Sequence, residues 1–102
     1  IALIDPGVTT VFLATPSPTH DKLMANMSAI AARNGPIVAV AVERSEELSA
    51  LAGDVLVVPQ TCAELQPVVN TVALQLFSYH VAHALGREID KPRNLAKSVT
   101  VE

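Results

Sequence analysis

Apolar and polar positions fall into blocks along this chain. VTTVFLA (8–14) is β-branched and apolar, with Pro6-Gly7 before it and TPSPTH after it, which predicts a strand buried on both faces. Leu23, Met24, Met27, Ile30 and Ala31 then recur at helical spacing. Pro18 or Thr19 opens this helix, Asp21 sits favourably in its first turn, and Asn34-Gly35 ends it. IVAVAV (37–42) predicts a second buried strand, SEELSAL (45–51) a short capped helix, and VLVVP (55–59) a third strand. Short connections in the order β-α-β-α-β require crossover helices. The expected fold is therefore α/β, a three-layer α/β/α arrangement around a parallel sheet.

A long helix is predicted from Pro67 to about Leu85, with Pro67 at its start and Gly86 as its stop. Val68, Val69, Val72, Leu74, Leu76, Phe77, Val81 and Leu85 do not share one face. Such a helix needs cover on both sides, part from the sheet and part from another domain or subunit. The opening IALIDPG starts without an initiator Met or a helix cap, which reads as a piece of a longer protein.

Composition narrows the classes. Half of the 102 residues are apolar, enough for a real core in one domain. Charged residues make up 17% and the net charge is −3, so there is no broad basic surface for nucleic acid or anionic lipid. No apolar run approaches the roughly eighteen residues of a membrane span, and no leader is visible, so the expectation is a cytoplasmic protein without a membrane partner. The single cysteine, Cys62, has no second thiol for a disulfide or a zinc site, and reads as a small hydrophobe beside a loop.

Three places could carry chemistry. His80 and His83 lie three apart on the long helix, a spacing that can present two imidazoles to one metal, but no carboxylate or thiol stands in register, and ordinary hydrogen bonding accounts for the pair. TPSPTHD places Thr15, Ser17 and Thr19 at the end of a parallel strand, where phosphate binds in doubly wound folds. Without a glycine-rich turn, helix capping is the favoured reading of these hydroxyls. The third place is the end of the chain, DKPRNLAKSVTVE (90–102). Four of the seven basic residues, Arg87, Lys91, Arg93 and Lys97, cluster in the last sixteen positions. Arg93 can anchor this tail by a bidentate contact and Asn94 can hold a turn, delivering Lys97 to a fixed place. An amine between Ala96 and Ser98 can add to a sugar carbonyl once desolvation disfavours its ammonium form; a solvated surface lysine is the competing reading.

The tail DKPRNLAKSVTVE closely resembles the end of the glucosamine-6-phosphate synthases, the isomerising glutamine:fructose-6-phosphate aminotransferases. The likeness continues back through LQLFSYHVA (74–82) to ALID (2–5), and is looser between. It implies a C-terminal isomerase half of two sugar isomerase (SIS) subdomains joined to a glutaminase domain in the same polypeptide. Residues 1–89 would then be most of the second SIS subdomain, truncated at its N-terminus, and 90–102 a catalytic tail. The implied reaction hydrolyses glutamine, passes ammonia through a channel, and converts fructose 6-phosphate into glucosamine 6-phosphate, with no metal or organic cofactor. By the same resemblance Lys97 forms an imine with the open-chain sugar and Ala96 touches that sugar. Val99 lines the channel, and Arg93, Asn94 and Leu95 seat the tail. A homodimer is expected from the long helix, which is apolar on more faces than one sheet can cover.

The resemblance also marks what is missing. The family's ring-opening histidine, its proton-shuttling glutamate, the phosphate loops of the first subdomain and the glutaminase nucleophile have no counterparts in this sequence, so the fragment itself is expected to be inactive. Cys62 and the TPSPTHD hydroxyls match none of these. The alternative reading is a non-catalytic SIS module that senses a phosphosugar, against which the lysine-bearing tail argues. A third is an element serving mainly in dimerisation.

Overall fold

The computed structural model describes residues 1–91. Three strands, β1 (Thr10–Leu13), β2 (Ile37–Ala41) and β3 (Asp54–Val57), form a parallel sheet in the order β1-β2-β3. Phe12 stands opposite Ala39, and Ala39 opposite Val55, so these three share one face. Helix α1 (His20–Ala31) crosses from β1 to β2, and α2 (Glu46–Leu51) from β2 to β3. Met24, Met27 and Ile30 of α1 join Leu48 of α2 on Ile37, Ala39, Ala41 and Val55, which makes one core on that face. The alanines let the helices approach closely, and Met27 fills the space left, with none of its surface exposed. Val40 points to the opposite face and is also fully buried.

The middle strand is covered on both faces, as its sequence predicts. The first strand is not: Val11 and Phe12 are only partly covered and Leu13 is exposed, because β1 forms one margin of the sheet rather than its centre. Its ladder is also shorter than residues 8–14, since Val8 is held in a turn by its amide donating to the Asp5 carbonyl at 3.1 Å.

The helix ends follow local chemistry. Ser45 Oγ accepts the Leu48 amide at 3.1 Å, supplying one of the acceptors that the first turn of α2 lacks. Ser45→Ala is expected to lose about 1 kcal/mol of stability, read as a lower denaturant midpoint with faster amide exchange at Leu48. After α1, Asn34 takes a left-handed φ of 57°. Gly35 follows where a Cβ would stand 2.5 Å from Ile4 Cγ2, so a side chain there would collide with the N-terminal segment.

Helix α3 (Gln66–Ala84) has Pro67 in its first turn, and it ends as the sequence predicts. Gly86 has φ 62°; its amide donates to the His83 carbonyl at 3.0 Å and that of Arg87 to Ala82 at 2.9 Å, the paired bonds of a left-handed helix stop. The covered stripe of α3 is Gln66, Val69, Asn70, Ala73, Leu74 and Phe77. Val68, Val72 and Leu76, on the other side, are exposed. The predicted need for cover on two sides is therefore met within these residues on one side only.

Candidate functional site

The carboxyl ends of the parallel strands form the one end of the sheet where loops and helix starts converge. Thr15 follows β1, and Pro59 and Thr61 follow β3; the start of α3 lies between them. Asn70 Nδ2 donates to Thr15 Oγ1 at 3.0 Å. Gln66 Nε2 donates to Asn70 Oδ1 and to the Pro59 carbonyl, each at 3.2 Å, while Gln66 Oε1 accepts the Thr61 amide at 2.9 Å. Gln66 and Asn70 are each 6% exposed and Thr15 9%. Among the described residues no buried side-chain nitrogen or oxygen lacks a partner, so this chain of amides is satisfied throughout.

The TPSPTHD hydroxyls are thus occupied in three ways. Thr15 takes the Asn70 bond. Ser17 Oγ lies 3.0 Å from Thr19 Oγ1 and accepts the Thr19 amide at 3.2 Å. Thr19 stands at the cap position of α1 but its side chain makes no cap bond. Beside them a cleft of about 400 Å³ opens between the starts of α1 and α2, lined among others by Ser17, His20, Glu43, Ser45 and Glu47. With two carboxylates and the capping Ser45 on its wall, this cleft does not offer the concentrated positive potential that holds a phosphate.

His80 and His83 are exposed, and both rings rest near Tyr79, His80 edge-on at 5.3 Å and His83 stacked at 6.3 Å. Among the described residues no group of three or more histidine, cysteine or acidic side chains is placed to hold a metal ion. Cys62 is a free, exposed thiol whose carbonyl accepts the Leu65 and Gln66 amides. Arg93, Asn94, Leu95, Ala96, Lys97 and Val99 all lie outside the described residues.

The Gln66 and Asn70 pair escaped the sequence reading. The signal was there: two amides four apart near the start of a largely apolar helix share one face, and an amide on a packed face needs partners.

Three relatives show what the chain is similar to. Isomerizing glutamine–fructose-6-phosphate aminotransferase of Thermus thermophilus is 49% identical over 102 residues, covering all of this chain and 17% of the relative. The enzymes of the same name from Chlorobaculum tepidum and Methanosarcina acetivorans are 43% and 44% identical over 102 residues, with 17% and 16% of their lengths covered. The chain is homologous to these aminotransferases from end to end. It spans about a sixth of the length of the aminotransferases it matches. No family model matches it. Its parallel sheet with crossover helices is consistent with a truncated fold of the SIS type.

Proposed function

We propose that this chain is part of the isomerase domain of an enzyme that makes glucosamine 6-phosphate from fructose 6-phosphate and glutamine-derived ammonia. The observation that carries this reading is identity of 41–49% to isomerizing glutamine–fructose-6-phosphate aminotransferases along all 102 residues. Residues 1–89 act as a scaffold from the second SIS subdomain, and 90–102 as the catalytic tail. Lys97 meets the open-chain sugar: its amine adds to the ketone carbon, and loss of water leaves an imine. Ammonia attacks that imine carbon, and the lysine amine departs as the new carbon–nitrogen bond replaces it. Ala96 touches the sugar, Val99 lines the ammonia channel, and Arg93, Asn94 and Leu95 seat the tail against the glutaminase domain of the same polypeptide.

The parent enzyme works as a homodimer in the cytoplasm. The exposed row of Val68, Val72 and Leu76 supports burial against further protein, and no helix among the described residues is long and apolar enough to cross a membrane.

The test is chemical trapping. Borohydride added to the parent enzyme with fructose 6-phosphate is expected to fix the sugar on one peptide, the one containing Lys97, as a stable secondary amine found by mass mapping. Labelling of a different lysine, or none, removes this assignment.

A further inference from the structure

The outer margin of β3 is not bare. Along a parallel ladder the backbone groups alternate between the two sides of a strand, so a strand at the margin turns every second residue outward. The Val58 amide donates to the Ala41 carbonyl at 2.9 Å, and Leu56 stands opposite Val40. Asp54 and Leu56 therefore bond towards β2, while Val55 and Val57 direct their amides and carbonyls away from the sheet. One of these outward groups is occupied. From the loop that leads into α2, Arg44 Nη2 donates to the Val55 carbonyl at 3.3 Å. This bond builds neither the ladder nor the core, since Arg44 is exposed and the Val55 side chain is already packed with Leu48 and Ala39. Its effect falls on what can add to the sheet. A strand arriving at this margin needs the Val55 carbonyl as an acceptor for one of its own amides, and a charged guanidinium stands in that place. With only two residues of β3 turned outward, that carbonyl is a large part of what the margin offers.

We propose that Arg44 is an edge guard: by holding the outward carbonyl of Val55 it raises the concentration at which β3 accepts a strand from a second copy of this chain. The strand it holds off is the β3 of that second copy. Two identical margins paired antiparallel about a two-fold axis each supply what the other lacks, and each copy must first release its own Arg44. Val57 stays open on the same margin, so the guard weakens pairing there without abolishing it.

The test compares the full 102-residue chain with its Arg44→Ala and Arg44→Met variants. Methionine keeps an unbranched stem and removes the charge and every donor. Sedimentation velocity over a concentration series reads association, and amide hydrogen exchange followed by NMR locates it. Removing the bond is expected to favour pairing by about threefold per copy, so both variants are expected to associate at a concentration about tenfold below that of wild type. In the associated form the outward amides of Val55 and Val57 are expected to exchange at least about tenfold more slowly than in the monomer. Association of the variants at the wild-type concentration overturns the guard. So does association that leaves the Val55 and Val57 amides at their monomer rates, because it then runs through another surface. Should Arg44→Ala not fold, Arg44→Met carries the same expectations. Unfolding of both variants also overturns the proposal, since a residue that only guards a margin is not needed for the fold.

Discussion

Lys97→Arg in the parent enzyme is expected to reduce glucosamine 6-phosphate formation by at least roughly a thousandfold while glutamine is still hydrolysed. The substitution keeps the positive charge and most of the length, so seating of the tail by electrostatics survives. What it removes is the proposed nucleophile. A guanidinium stays protonated at any pH the protein tolerates and has no nitrogen lone pair free to add to a carbonyl. If Lys97 served only as a fixed cation beside the sugar phosphate, arginine would serve nearly as well. Parallel assays of ammonia release and amino-sugar formation separate these cases. A variant making glucosamine 6-phosphate within about tenfold of wild type would show that the charge, and not the amine, is what the tail supplies.

Met27→Ala is expected to cost about 2–5 kcal/mol of stability, a large share of what a domain of this size possesses. Met27 is completely buried between the α1 stripe and the alanines of β2. Ala39 and Ala41 cannot grow into the space that a truncated Met27 leaves, and the backbone ladder holds β2 in place on both sides. The cavity therefore persists, which puts the loss towards the upper end of the range. Met27→Leu, which nearly conserves volume, is expected to stay within about 1.5 kcal/mol. Urea unfolding of the two variants side by side checks both values, and equal midpoints would mean that the core collapses around the gap.

Features written in a few adjacent residues were legible in the sequence. Ser45 as a cap, the Asn34-Gly35 stop and the Gly86 stop each depend on local backbone conformation, which nearby residues determine. The crossover order was legible too, since three apolar runs joined by helical stretches leave little choice of topology. The exposure of Leu13 was not, because whether a strand is central or marginal depends on which strands flank it, and the run VTTVFLA reads alike in both settings. The chain of amides failed to show for a similar reason. Asn70 finds its partner 55 residues away, and no periodicity within α3 names Thr15. The role proposed for the tail rests on its resemblance to a known family, and residues 92–102 lie outside those described.

The position of β1 and β3 bears on handling the 102-residue chain by itself. Among the described residues each strand pairs on one side only, so each presents a row of backbone groups to solvent along its outer margin. Both are four residues long, and Val57, at the end of β3, is 59% exposed. A second molecule adding a strand there would extend the ladder, so these two margins, together with the exposed row on α3, are the places where self-association of the chain is expected in concentrated preparations.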